Sequence, residues 1–140
     1  MGGGGKTALA SSVVRDNRVR SSFRHGIFWF YIGQEGKASV ALILEKLAIE
    51  LAVAPTDTPH LCPNKFDSTD EAARHVSATI ELKKLRCLVV LDNVWDVEIV
   101  NAFASTGIHV LVTTRDGTVI PPMYQGVMVK VENMEEEERL

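Results

Sequence analysis

Residues 1–7 read Met-Gly-Gly-Gly-Gly-Lys-Thr, and this stretch decides the fold predicted for the rest of the chain. It matches the second half of the pattern G-x-x-x-x-G-K-S/T, in which glycines let backbone N–H groups curl around an anion. The helix-forming run 8–10 follows, and the dipole of such a helix attracts negative charge to its amino end. In this loop the Lys6 ammonium would reach the β- and γ-phosphates of a nucleotide, and the Thr7 hydroxyl would hold Mg²⁺. The residues predicted to surround the phosphates are Gly2, Gly3, Gly4, Gly5, Lys6, Thr7 and Ala8.

The position of this loop predicts that part of the fold lies outside the sequence. The first glycine of the pattern falls one position before Met1, so we expect the chain to begin inside its own phosphate-binding loop. Such a loop connects a buried parallel strand to a helix, and we therefore expect the first strand of the fold to be absent. The alternative interpretation of the glycine run is a flexible tail.

Composition and charge limit the classes of function. The chain has 140 residues, of which 46% are apolar and 24% charged, as in one ordinary globular domain. A formal net charge of −3 argues against sequence-independent binding of nucleic acid, which requires a basic surface. Cys62 and Cys87 provide no disulfide framework, which favours the reducing cytosol. Charged residues interrupt the most apolar helical stretch, 40–53, so we expect no membrane span.

Apolar runs of strand type alternate with helical periodicity along the chain. This alternation predicts an α/β fold with a mostly parallel sheet. The run Ile27–Ile32 is continuously apolar, which predicts a strand that is buried on both faces. The other predicted strands are 88–91, 109–114 and 127–131, and the predicted helices are 7–14, 38–54, 69–85, 97–104 and an acidic helix that starts near 135.

Asp92 and Asn93 follow the predicted strand 88–91. Open α/β sheets bind ligands at the carboxyl ends of their strands, and a carboxylate suits Mg²⁺ beside phosphates, so Asp92 is predicted to bind the metal together with Thr7. The alternative role of Asp92 is that of a helix cap. Asn93 stands where hydrolytic P-loop proteins often have a second acid, and an amide cannot accept a proton at neutral pH. We therefore predict at most a weak ATPase, unless Asn93 is a turn residue without a catalytic role.

Arg115 follows the predicted strand 109–114, and its planar guanidinium suits the terminal phosphate of a nucleotide. The alternative is a surface arginine that pairs with Asp116. The stretch 64–67 matches the guanine-recognition pattern N-K-x-D, but it lies in a loop before the metal-binding segment, so we interpret this match as accidental and predict ATP or ADP. Zinc is not expected, because His60 and Cys62 lack a second closely spaced pair.

Four of these segments resemble the NB-ARC nucleotide-binding domains of plant disease-resistance proteins and animal apoptosis-activating factors. The segment 88–95, L-V-V-L-D-N-V-W, is similar to the family's L-L-V-L-D-D-V-W, and 110–115, V-L-V-T-T-R, is similar to its sensor motif. The other two are the loop at 1–7 and the segment 18–23 with the strand at 27–32. The resemblance implies a P-loop NTPase sandwich of three layers that lacks its first strand.

The resemblance also implies a function, that of a signalling switch in defence or cell death. ADP marks the resting state of such a switch and ATP the active one. The resemblance implies that Lys6 binds phosphate, that Thr7 and Asp92 bind Mg²⁺, and that Arg115 is the sensor of the terminal phosphate. It also implies other domains of the same or a related signalling protein as partners. We expect 1–140 to stop before the G-L-P-L and M-H-D motifs of the closing subdomains. Two alternatives remain at this point. One is a P-loop kinase or ATPase with steady turnover, and the other is a truncated fragment that binds no nucleotide and acts only through interaction with a partner.

Overall fold

The computed structural model describes residues 4–34, 40–52 and 66–120. The predicted strand at 127–131 and the predicted acidic helix near 135 lie outside these residues. In chain order the elements are α1 (Gly4–Arg15), α2 (Asn17–Ser22), β1 (Ile27–Tyr31), α3 (Val40–Ala52), α4 (Thr69–Lys83), β2 (Leu88–Asp92), α5 (Val97–Ala104), β3 (His109–Val112) and a short 3₁₀ helix (Gly117–Val119).

The three strands form one parallel sheet in the order β1-β2-β3. Ile27 lies opposite Leu88, and Leu88 lies opposite His109, so the carboxyl ends of all three strands meet at the same edge. Parallel neighbours require long crossover connections, and helices provide them here. The predicted α/β fold with a parallel sheet is confirmed.

One face of the sheet contributes to the apolar core. Side chains alternate between the two faces of a strand, and this face carries Phe28, Phe30, Val89, Leu91, Val110 and Val112. The helices α3, α4 and α5 cover it with residues that are completely buried, among them Leu44, Leu47, Val76 and Phe103. We call this the core face.

The helices α1 and α2 lie on the opposite face, which carries Asp92 and His109. The ring of Phe23, just after α2, contacts the ring of His109 edge-on at 5.3 Å between centroids. Arg86 Nε donates a hydrogen bond of 3.0 Å to the carbonyl of Ser22 at the end of α2. Helices therefore lie on both sides of the sheet, which confirms the predicted three layers. We call this second side the site face.

The prediction that the strand 27–32 is buried on both faces is wrong. On the site face, Trp29 is 37% exposed and Tyr31 67% exposed. Within the described residues β1 pairs only with β2, so it is an edge strand of this sheet. A run of aromatic residues favours a strand whether it is central or peripheral, and the sequence therefore could not separate the two cases.

The first predicted helix and the stretch after it also differ from the prediction. The first helix begins at Gly4 rather than Thr7, and the polar stretch after it forms α2. Asp16 is the N-cap of α2, because its carboxylate accepts a hydrogen bond of 2.8 Å from Arg18 N.

Within the described ranges, no helix is both long and apolar enough to cross a membrane.

Candidate functional site

The predicted phosphate-binding residues lie in the first turns of α1. Gly5 is buried, Lys6 and Thr7 are half-buried, and Ala8 is exposed. Gly4 is the first residue of the helix, whereas Gly2 and Gly3 lie outside the described residues. The N–H groups of a helix's first turn have no partner within the helix, so this end of α1 provides the backbone donors that an anion requires.

Thr7 and Asp92, the two predicted metal ligands, are in direct contact. The Thr7 hydroxyl donates a hydrogen bond of 3.0 Å to Oδ1 of Asp92, across 85 positions of sequence. Asp92 is the last residue of β2 and is only 4% exposed. The contact places the first turns of α1 at the carboxyl edge of the sheet, where parallel sheets bind ligands.

Thr113 is a third member of this group, and the sequence reasoning did not identify its contact. Its hydroxyl donates a hydrogen bond of 2.5 Å to the same Oδ1 of Asp92 and accepts one of 2.8 Å from Asn93 N. Thr113 follows β3 directly and is 7% exposed. The signal in the sequence was the T-T-R run at the end of a strand, but the contact depends on β3 being the neighbour of β2.

Asn93 forms a polar bridge between two aromatic residues. Its amide Nδ2 donates to the Tyr31 hydroxyl at 2.9 Å, and its Oδ1 accepts from Trp95 Nε1 at 3.1 Å. Its φ of 65° lies in the left-handed region, which asparagine tolerates better than most residues. These contacts favour the interpretation of Asn93 as a turn residue. They engage both polar atoms of its side chain, Nδ2 and Oδ1. Tyr31 and Trp95 were not predicted to belong to the site.

Arg115 is exposed and lies two residues beyond Thr113. Between them, the Thr114 hydroxyl donates a hydrogen bond of 2.6 Å to the carbonyl of Val94. Asp116, the alternative partner of Arg115, instead accepts hydrogen bonds from the hydroxyl and the N–H of Thr118, at 2.6 and 3.0 Å. These bonds lower the pKa of the Asp116 carboxyl, the side-chain bond having the larger effect. Arg115 thus emerges at the same edge of the sheet as Asp92, with its side chain in solvent.

The N-K-x-D match is only partly visible, because Asn64 and Lys65 lie outside the described residues. Asp67 N donates a hydrogen bond of 2.8 Å to Oε2 of Glu71, and Ser68 Oγ accepts one of 3.1 Å from Glu71 N. These bonds resemble a capping box at the start of α4. The described half of the match thus belongs to a helix start.

In the part of the chain that the structure describes, no group of three or more His, Cys, Asp or Glu residues could hold a metal ion by itself. A cation at Thr7 and Asp92 would therefore take its other ligands from elsewhere. Mg²⁺ at nucleotide sites meets this condition, because it retains waters and binds phosphate oxygens together with one or two carboxylates.

Comparisons with known proteins agree with this geometry. Residues 1–140 match the NB-ARC domain. Apoptotic protease-activating factor 1 of Mus musculus and that of Homo sapiens are both 32% identical over 120 residues, or 85% of this chain and 9% of each relative. Its counterpart in Danio rerio is 32% identical over 144 residues, or 99% of this chain and 11% of the relative. The chain thus spans only about a tenth of the length of these curated relatives.

Proteins with this domain bind adenine nucleotides, generally with Mg²⁺. The chain belongs to the NB-ARC family of nucleotide-binding signalling ATPases.

Proposed function

We propose that this chain binds ADP and ATP with Mg²⁺ and serves as the nucleotide-binding part of a signalling switch in defence or cell death. One observation carries the proposal, the hydrogen bond of 3.0 Å between Thr7 and Asp92. It joins the two motifs that the sequence offers for phosphate and for metal, although they lie far apart along the chain. Membership of the NB-ARC family supports the same conclusion.

The roles of the residues follow from their chemistry. Gly2, Gly3, Gly4, Gly5 and Ala8 supply backbone around the phosphates, and Lys6 supplies a positive charge that reaches the β- and γ-phosphates. Thr7 and Asp92 hold Mg²⁺, to which their hard oxygen atoms are suited. When bound, the metal neutralises negative charge on the phosphates. Arg115 meets the terminal phosphate with its guanidinium.

The same residues support slow turnover at most. Asn93 occupies the position of the second acid, and its amide cannot take a proton from water at neutral pH. Its hydrogen bonds to Tyr31 and Trp95 also hold the side chain in place. This arrangement disfavours a kinase or ATPase with steady turnover and favours a protein that stays in one nucleotide state for long periods.

A switch of this kind works by population shift, because a ligand changes the balance between two states by its difference in affinity for them. In our proposal ADP favours rest and ATP favours activation, and the change is transmitted to other domains of the same or a related signalling protein. The buried free thiol of Cys87 is compatible with a reducing, cytosolic environment.

We further propose that 1–140 form only part of a nucleotide-binding domain. The partial burial of Val110, Leu111 and Val112 in β3 supports this, because all five residues of β2 are buried. A further strand beside β3 would cover them. The test is to add the residues encoded upstream, with the expectation of a higher melting temperature, and an unchanged transition would contradict it.

Competition binding tests the proposed ligand. Labelled ADP is bound to the 140-residue chain, and unlabelled ATP and GTP compete with it in Mg²⁺ and again in excess EDTA. We expect ATP to displace ADP and GTP to do so poorly. The variant Asp92→Asn should lose most of the difference between Mg²⁺ and EDTA. Equal displacement by GTP would contradict the adenine preference, and an absence of ADP binding would favour a fragment that binds no nucleotide.

A further inference from the structure

Thr113 forms hydrogen bonds with four consecutive residues, 91–94, which end β2 and begin the turn after it. Its N–H donates to the carbonyl of Leu91 at 3.0 Å, and its carbonyl accepts from Val94 N at 2.9 Å. Between them, its hydroxyl bonds to both Asp92 and Asn93. One residue at the end of β3 thus fixes four consecutive residues at the end of β2.

The direction of each proton at this hydroxyl is determined by its partners. Asn93 N–H can only donate, so the Thr113 oxygen accepts that bond with a lone pair. Its single proton therefore points to Oδ1 of Asp92, at a distance of 2.5 Å, which is typical of a short bond from a hydroxyl to an ionised carboxylate. Thr7 donates to the same Oδ1, since an ionised carboxylate only accepts.

The second carboxylate oxygen of Asp92 has a different environment. Oδ1 accepts hydrogen bonds from two threonines, whereas no described residue donates one to Oδ2. Oδ2 is therefore the oxygen of Asp92 that a cation could use without displacing a hydrogen bond.

We propose that Thr113 is a positioning residue of the magnesium site. Its hydroxyl fixes Oδ1 of Asp92, so that Oδ2 faces the cation or a water bound to it. Because Thr7 uses its proton on Oδ1, the lone pairs of its oxygen stay available to the same cation. The inference rests on the proposed function, since it concerns the use of Asp92 for Mg²⁺, and Thr113 itself does not touch the metal.

The competing explanation is that Thr113 only stabilises the turn. Valine separates the two, because it has the shape of threonine, keeps both backbone bonds and lacks the hydroxyl. A residue that only stabilises the turn would affect unfolding and would weaken nucleotide binding equally with and without Mg²⁺. A positioning residue affects the part of the affinity that depends on Mg²⁺.

The experiment measures ADP affinity by calorimetry in the full-length protein, in Mg²⁺ and in EDTA. The ratio of the two affinities is the readout. We expect Thr113→Val to reduce this ratio about tenfold, as for the loss of a hydrogen bond to a charged group. We expect Thr113→Ser to retain the ratio, because serine keeps the hydroxyl. The matched control is Thr79→Val, since Thr79 is also buried and its hydroxyl donates a hydrogen bond of 2.9 Å to the carbonyl of His75 in α4.

The outcomes are distinct. An unchanged ratio in Thr113→Val, with normal Mg²⁺-dependent binding by the parent, overturns the inference and leaves the proposed function standing. A parent that binds no ADP in either condition overturns both, and a parent whose ADP affinity is equal in Mg²⁺ and EDTA overturns the magnesium site and with it the inference. If Thr113→Val does not fold, Thr113→Ser tests the inference. Serine keeps the hydroxyl, so a loss of the Mg²⁺ dependence of ADP affinity in Thr113→Ser would show that the hydroxyl does not position Asp92 and would overturn the inference.

Discussion

The two faces of the sheet use the same three strands for different purposes. On the core face, Leu91 is completely buried within the apolar cluster under α3, α4 and α5. Its neighbour Asp92 points to the site face, where it accepts hydrogen bonds from Thr7 and Thr113. Since side chains alternate along a strand, consecutive residues lie on opposite faces, one packing in the core and the next facing the ligand site. We therefore expect substitutions on the core face to change stability and those on the site face to change ligand binding.

The largest effect is expected from Phe103→Ala on the core face. Phe103 is 0% exposed, and removing a buried phenylalanine ring costs about 3–5 kcal/mol of unfolding free energy. Urea unfolding of the full-length protein measures this loss. The control is Leu82→Ala on α4, since Leu82 is 52% exposed and should change stability by less than about 0.5 kcal/mol. A loss for Phe103→Ala no larger than that of the control would break the comparison.

Lys6→Ala should have the largest effect on the site face. A charged hydrogen bond to phosphate contributes roughly 1.5 to 3 kcal/mol, so ADP affinity should fall about tenfold to a hundredfold. The unfolding free energy without nucleotide should stay close to that of the parent, because Lys6 is only half-buried. Arg20→Ala, an exposed arginine on α2, is the control for the loss of one positive charge. Calorimetry that finds equal affinities for Lys6→Ala and the control would show that Lys6 does not face phosphate.

Asn93→Asp tests whether a missing base limits turnover. General-base catalysis contributes about 10²–10⁴-fold. We expect a rise in ATP hydrolysis below about 100-fold, because the Tyr31 hydroxyl and Trp95 Nε1 would both donate to the new carboxylate and hold it in place. Steady-state phosphate release measures the rate. Tyr31→Phe removes one of the two holding bonds without adding a base, and it should leave the rate unchanged. A rate for Asn93→Asp equal to the parent's would place the limit elsewhere.

The smallest expected effect is a dependence of stability on pH caused by the Cys87 thiol on the core face, and this dependence is absent at neutral pH. Burial raises the pKa of this thiol from 9.0 to about 11, so the folded protein keeps the proton that the unfolded chain loses first. The unfolded state then binds fewer protons, and stability falls as pH rises from about 9 to about 11. Urea unfolding against pH, compared with Cys87→Val, measures this slope. Equal slopes in the parent and the variant would show that the thiol does not contribute.

Much of this fold could be predicted because its signals are local. The helix at 97–104 has the predicted bounds, and α4 begins at Thr69 as predicted, after the capping residue Ser68. The strand β2 was predicted from an apolar run that ends in an acid, and all of its residues are buried. Periodicity and capping are properties of a short segment and do not depend on its neighbours.

The features that the sequence did not reveal depend on neighbours. The exposure of Trp29 and Tyr31 follows from where β1 lies in the sheet, which an aromatic run does not encode. The contact of Thr113 with Asp92 follows from the pairing of β2 with β3. For the same reason, the sequence predicted from two separate motifs that Asp92 and Thr7 share one metal ion, and only the fold shows their direct contact.

The separation of 85 positions between Thr7 and Asp92 has a consequence for how the chain is synthesised and folds. Contacts between residues far apart in sequence form late, because a long loop must close before they can be made. The glycine-rich loop leaves the ribosome before Asp92 and Thr113, so its ligand set exists only after these two residues have followed. Nucleotide bound to a nascent chain would therefore report that β2 and β3 have paired, which makes ligand capture a marker of a completed sheet.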